Sequence, residues 1–212
     1  MNYAFYISGK AGRLRELINI NSNVLSYTRL VITDSEENSD LKDILAKMNI
    51  KFFEIKYVRS KKNMNLILSE FLLKNFQEFD VDYCFSFGDH ILKGELLEIY
   101  KNKIINFHPS LLPLYPGRKA IDKAMKDDSS ILLGNTAHFI DDGVDTGPVI
   151  LQTVVSKSYF ENNDYAKILN LQLDMLEFIH DNLIEESIKI FDRKVFVSSD
   201  KAQSPSFHFN DK

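Results

Sequence analysis

The sequence predicts an α/β fold: a doubly wound, mostly parallel sheet of Rossmann-like type, with a long C-terminal helix and a short tail strand. Three observations carry this. Short apolar runs alternate with amphipathic stretches through the first hundred residues. A loop punctuated by Pro109, Pro113 and Pro116-Gly117 follows the fifth apolar run. Two longer strand-like runs then flank a turn rich in Asp and Gly. Strand and helix in alternation imply parallel strands joined by crossover helices. In such sheets ligands bind beyond the carboxyl ends of the strands.

Each element has its own warrant. Residues 2–8 read as a buried strand, and Ser8-Gly9-Lys10-Ala11-Gly12 as the loop after it. Leu14, Leu17 and Ile18 share one face of a helix at 13–20. Residues 29–33 form a second strand. A helix at about 39–48 carries Leu41, Ile44, Leu45 and Met48 at helical spacing. Lys51 to Ile55 is a third strand, and a helix at about 62–78 presents Leu66, Ile67, Phe71 and Leu72. Strands at 82–87 and 103–108 enclose a short helix at 93–100. Beyond the proline-rich loop come a helix at 119–127, strands at 131–140 and 148–156, and a long amphipathic helix at 163–190. The tail, 191–212, holds a strand-like 194–197 and a second strand-like stretch at 204–209. No repeat or linker divides the chain. We expect one catalytic domain over 1–190, with 1–100 serving the acceptor and its phosphate and 101–160 serving catalysis and cofactor.

Composition narrows the functional classes. The chain has 212 residues and a net charge of −4. An acidic balance disfavours a general nucleic-acid binder, which needs a basic face to displace counterions. The short basic run Arg59-Ser60-Lys61-Lys62 reads as a solvated loop. No apolar stretch approaches the roughly 18 residues of a membrane span, and the N-terminus lacks the pattern of a secretory leader. Cys84 is the only cysteine and lies in an apolar run, where a thiol behaves as a small hydrophobe. Together these suggest the cytoplasm. The five histidines are scattered, with no metal-ligand spacing, so no metal is expected.

The chemistry concentrates at the end of the fifth strand, Ile104-Ile105-Asn106-Phe107-His108-Pro109-Ser110. Alternation puts Asn106 and His108 on one side of that strand. Pro109 ends it, having no N–H to donate. A carboxamide can donate to a developing oxyanion, and an imidazole can exchange a proton near neutral pH. The pair therefore suits acyl transfer through a tetrahedral intermediate. An N-x-H pattern alone serves equally as a turn cap beside a hydrogen-bonded core histidine.

The surrounding segments sharpen this. Asn106-x-His108-Pro109-Ser110-Leu111-Leu112-Pro113 and Asp141-Asp142-Gly143-Val144-Asp145-Thr146-Gly147-Pro148 resemble two motifs of the folate-dependent formyltransferase family, in the same order and at about the same distance. The family includes glycinamide ribonucleotide, methionyl-tRNA and amino-sugar nucleotide formyltransferases. The resemblance covers residues 81–156 well and the N-terminal half more loosely. It implies transfer of a formyl group from 10-formyltetrahydrofolate, as co-substrate, to a primary amine. It assigns Asn106 to the formyl oxygen, His108 to polarising that oxygen or moving a proton, and Asp145 to orienting His108 and taking up the amine proton. It makes Ile140, Asp141, Asp142, Gly143 and Val144 a folate loop, and places Phe85, His90, Ile91 and Leu92 along the folate. His138 and Ser110 become supporting residues. Gly9, Lys10, Ala11, Gly12 and Arg13 match the family's phosphate loop, where N–H groups leading into a helix favour an anion.

The acceptor side departs from the glycinamide ribonucleotide enzymes. Their Glu-His pair on the late helix is replaced by Leu169-Asn170-Leu171-Gln172-Leu173-Asp174. Gly88-Asp89-His90-Ile91-Leu92 replaces Met-Arg-Ile-Leu, so His90 stands near the family's Arg. The chain has no room for the β-barrel that methionyl-tRNA formyltransferases use for tRNA. The implied partners are folate and a small-molecule amine, either glycinamide ribonucleotide or a nucleotide-linked amino sugar. Hydrolysis of the formyl donor is one alternative; a folate- or nucleotide-binding protein without turnover is another.

Overall fold

Tyr3 to Ile7 form a strand whose five side chains are all buried, as expected of a strand covered on both faces. This computed structural model describes residues 1–58, 61–160 and 165–198. Arg59, Ser60 and the strand-like stretch at 204–209 lie outside the described residues. The chain forms two compact units, Met1–Asn106 and Phe107–Lys212.

The first unit runs β1 (Tyr3–Ile7), α1 (Gly12–Asn19), β2 (Thr28–Thr33), α2 (Leu41–Lys47), β3 (Lys51–Glu54), α3 (Met64–Glu78), β4 (Tyr83–Phe87), α4 (Glu95–Ile99) and the start of β5 (Ile104–His108). The strand order is β3-β2-β1-β4-β5, and every pairing is parallel. Central β1 matches β4 residue for residue, Phe5 opposite Phe85. The aromatic rings interlock: Phe85 meets Tyr3 edge-on at 5.0 Å and Phe5 at 5.5 Å. Such pairs add about 0.5–1.5 kcal/mol beyond burial alone. β3, at the sheet edge, exposes Lys51 and Glu54, charges that discourage further pairing. Cys84 is buried in β4.

The second unit begins within β5, at Phe107 and His108. It continues with α5 (Ala120–Lys126), β6 (Leu132–Phe139), β7 (Val149–Ser156), α6 (Tyr165–Ile184), β8 (Ile188–Phe191) and β9 (Lys194–Val197). β6 neighbours the end of β5 and pairs antiparallel with β7. A core of Ala124, Leu133, Val155 and Ile168 joins α5, both strands and α6. The expected mostly parallel α/β architecture is therefore the one observed.

The C-terminus differs from expectation. The long helix stops at Ile184, and residues 188–190, expected as its last turn, fall in the first strand (Ile188–Phe191) of a β8–β9 hairpin. Glu186 takes a left-handed conformation (φ 52°). The Ser187 N–H donates to Asn182 O and the Glu186 N–H to Leu183 O, a Schellman-type termination. Glycine usually marks this position; here a glutamate holds it. Ile184 and Ile188 are four residues apart, so the apolar spacing continued a helical pattern past the true end. No helix among the described residues is long and apolar enough to cross a membrane.

Candidate active site

The Asp-Gly segment is the connection between β6 and β7, closed at its base by the Phe139 N–H donating to Pro148 O (2.9 Å). Gly147 makes that closure possible, since a Cβ there would stand 1.7 Å from Phe139 O. Within the loop, Asp141 Oδ1 accepts from Thr146 Oγ1 (2.7 Å) and from the Gly143 N–H (3.2 Å). Asp145 is itself left-handed (φ 55°), a conformation Asp tolerates better than most residues. The loop thus turns the Asp145 carboxylate inward while Asp142, Gly143 and Val144 stay exposed.

Asp145 meets three groups there. Its Oδ2 accepts from the Gly117 N–H at 2.7 Å and lies 3.3 Å from His108 Nδ1. Its Oδ1 lies 3.6 Å from His138 Nε2. Burial raises the carboxyl's pKa, but His138, the Gly117 N–H and His108 outweigh it and hold the group below its ordinary value. Asp145 is therefore ionised at neutral pH.

His108 is held from the other side by the 110–115 loop. Its Nε2 donates to Tyr115 O at 3.0 Å, because a carbonyl can only accept. Tyr115 is delivered by a left-handed turn (φ 54°). Ser110 Oγ donates to Leu114 O (2.7 Å) and closes that turn. Both imidazole nitrogens thus face acceptors, which favours the charged ring. Burial opposes this more strongly, and the net effect lowers the His108 pKa. His108, largely neutral at pH 7 beside an ionised Asp145, can chemically accept a proton. His138 anchors its other nitrogen, Nδ1, on Phe139 O at 3.0 Å.

The remaining expected site residues fall as follows. Asn106 is half-buried on β5, two residues before His108. Ile91 is exposed, whereas Phe85 and Leu92 are core side chains. Phe85 packs against the Tyr3 and Phe5 rings. Ile140 and Asp141 are half-buried. Gly9 and Lys10 in the loop before α1 and Gly12 at its first position are exposed, while Ala11 is buried. Arg13 lays its guanidinium over the Phe87 ring at 4.3 Å. Burial, partly opposed by Asp89, lowers its pKa to about 10, so it stays charged.

His90 belongs to a cleft wholly within the first unit. The loops after β1 to β4 enclose about 490 Å³, lined by Ser8, Asp34, Glu37, Lys56, Tyr57 and His90 among others. Tyr57 and His90 stack at 3.5 Å. Asp34 Oδ2 accepts from Tyr6 OH (2.5 Å) and Ser8 Oγ (2.6 Å) and lies 3.4 Å from His90 Nε2. The Asp89 N–H donates to the same Ser8 hydroxyl. Gly88 admits the Tyr6 ring: a Cβ at 88 would stand 2.0 Å from it.

Sequence reasoning missed the buried polar frame behind the site. Gln172 Nε2 donates to Phe107 O (3.2 Å) and to Asn135 Oδ1 (2.9 Å). Asn135 Nδ2 in turn donates to Ile168 O (2.9 Å). Gln152 Nε2 donates to Leu112 O and Thr136 Oγ1, and Thr136 Oγ1 donates to Ser110 O. These bonds pin both ends of the segment that carries His108. The only sequence signal was a polar residue on an apolar helix face at 172 and polar residues inside two strand-like runs.

A phosphoribosylglycinamide formyltransferase of Bacillus subtilis is 38% identical over 87 residues, 41% of this chain and 43% of that protein. A formyltetrahydrofolate deformylase of Haemophilus influenzae is 31% identical over 127 residues, 59% of this chain and 44% of that protein. The match thus spans less than half the length of either curated relative. The crystal structure of phosphoribosylglycinamide formyltransferase from Anaplasma phagocytophilum superposes with a TM-score of 0.82 at 26% identity, covering 99% of this chain and 98% of that one. The formyl transferase family model matches residues 1–164, a span that contains Asn106, His108, His138 and Asp145, and the chain belongs to that family.

Proposed function

We propose that the protein transfers a formyl group from 10-formyltetrahydrofolate to the primary amine of a phosphorylated small molecule. The observation that carries this reading is the ionised Asp145, held by a backbone N–H and flanked by His108 and His138. The amine nitrogen bonds to the formyl carbon, and the bond from that carbon to N10 breaks. Asn106 donates to the oxygen as negative charge builds. Asp145 and His108 collect the proton leaving the amine, and a proton returns to N10 to complete tetrahydrofolate. A positioned acid–base pair of this kind contributes about 10²–10⁴-fold.

The formyl donor suits the residues present. The 140–144 segment is held in shape by Asp141 and leaves Asp142, Gly143 and Val144 exposed. Backbone polar groups next to apolar surface fit the edge of a flat heteroaromatic ring. On this reading Asn106, His108 and Asp145 supply catalysis and the 140–144 segment supplies folate contacts. Gly9, Lys10, Gly12 and Arg13 supply the acceptor's phosphate contacts. The full-length likeness to a phosphoribosylglycinamide formyltransferase supports glycinamide ribonucleotide as acceptor. The first-unit cleft, with its stacked Tyr57–His90 pair, also suits a nucleotide-linked amino sugar.

The test supplies purified protein with 10-formyltetrahydrofolate and either glycinamide ribonucleotide or nucleotide-linked 3-amino and 4-amino sugars, following tetrahydrofolate optically. Turnover on one acceptor class names the substrate. Hydrolysis is a second reading, because the Haemophilus deformylase aligns over more of this chain than the Bacillus transferase does, 59% against 41%. Formate release without any amine would establish it in place of transfer.

A further inference from the structure

Arg193 stands on the two-residue turn of the β8–β9 hairpin, beyond the segment that the family model matches. Asp192 (φ 46°) and Arg193 (φ 61°) are both left-handed. This is the turn pattern whose second position is most at ease with glycine. An arginine there is conformationally disfavoured, and non-glycine residues held so tend to occur where the side chain has a task.

That side chain reaches the β6–β7 loop. Arg193 Nη2 donates to Asp141 Oδ2 (3.1 Å) and to Thr146 O (2.8 Å). The two acceptors bracket residues 142–145, and Thr146 directly follows Asp145. Asp141 is bonded through both oxygens, Oδ1 to the loop itself and Oδ2 to Arg193. β9 packs against β7, so the turn is fixed by the sheet before the arginine reaches out. Burial would raise the Asp141 pKa, but Thr146, Arg193 and the Gly143 N–H hold it low. The arginine side chain is 66% exposed, and exposed ion pairs add little to global stability. Its effect is therefore local to the loop.

We propose that Arg193 is a positioning residue for formyl transfer: by clamping Asp141 and Thr146 together it holds the Asp145 carboxylate against His108. This rests on the reading of Asp145 as the catalytic carboxylate. It also gives the C-terminal hairpin a role in the reaction.

The test uses the whole chain carrying Arg193→Ala, Arg193→Lys or Asp145→Asn. Two quantities are measured: steady-state turnover with 10-formyltetrahydrofolate and glycinamide ribonucleotide, and the pH titration of the His108 ring by NMR without substrate. The groups facing that ring are Asp145, His138, Lys123 and the Tyr115 carbonyl. Arg193→Ala should lower kcat roughly 10- to 100-fold, as a misplacement of about 1 Å can, with KM for the amine and the melting temperature unchanged. Arg193→Lys should recover part of the loss. The His108 titration in Arg193→Ala should move down, in the same direction as in Asp145→Asn, because the carboxylate that supports its charge has withdrawn. A wild-type titration in Arg193→Ala would overturn the clamp, whatever the turnover. Full turnover in Asp145→Asn would instead sink the catalytic reading, and the titration would still judge the clamp by itself.

Discussion

Chemistry-bearing side chains gather in two places, and they are built differently. Around Asp145 in the second unit, each group is held by main chain: Gly117 N–H on the carboxylate, Tyr115 O on His108, Phe139 O on His138. Around Asp34 in the first unit, the partners are side chains: Tyr6, Ser8 and His90, with His90 stacked on Tyr57. Main-chain anchors survive most substitutions nearby, whereas a side-chain network changes with any one member. On the proposed function, the first arrangement would serve the transfer step and the second the choice of acceptor.

The sharpest way to break this contrast is Asp145→Asn. We expect kcat to fall by roughly 10²–10⁴-fold with little change in acceptor KM. Tyr6→Phe or Asp34→Asn should do the reverse and raise acceptor KM while sparing kcat. Steady-state kinetics on the three variants would decide, and an equal kcat loss at both places would erase the distinction.

Two stability effects come next. Gly147→Ala forces a methyl group against Phe139 O and should cost about 1–3 kcal/mol, with kcat falling as the Asp145 loop shifts. Tyr6→Phe removes one of the two hydroxyl donors to the buried Asp34 carboxylate and should cost about 1–3 kcal/mol. Denaturant unfolding measures both.

The smallest expected effect is on pH. His108 titrates below the ordinary imidazole value of 6.5. A reaction that needs it neutral should therefore lose kcat/KM only as pH falls below 6.5. Asp145 supports the charged ring, so Asp145→Asn should shift the residual acid limb further down. Stability follows the same sign. The folded state binds protons less readily than the unfolded chain at both His108 and Asp145. Stability is then full above 6.5, declines as pH falls toward the folded His108 value, and declines again below 3.8 through Asp145. An acid limb at or above 6.5 would contradict the burial of His108.

Much of this was legible in the residues. The strand runs and amphipathic stretches located almost every element to within two residues, because burial on one or both faces imposes its own period. Asn106, His108 and Asp145 stood out because their motif spacings match the family's. The end of the long helix was not legible: Glu186 stops it with a conformation usually signalled by glycine, and Ile188 continued the apolar spacing. The place of Phe85 was not legible either, since an aromatic ring beside a site can face the ligand or the core.

The sequence by itself determined the α/β class, because that follows from periodicity, and its motifs pointed to Asn106, His108 and Asp145 through their resemblance to the formyltransferase family. Only the tertiary structure decided which atoms hold them. Gly117 N–H and Arg193 come from separate turns. Their meeting with residues 141–146 depends on backbone conformations and on hydrogen bonds between residues tens of positions apart, which a linear pattern does not encode.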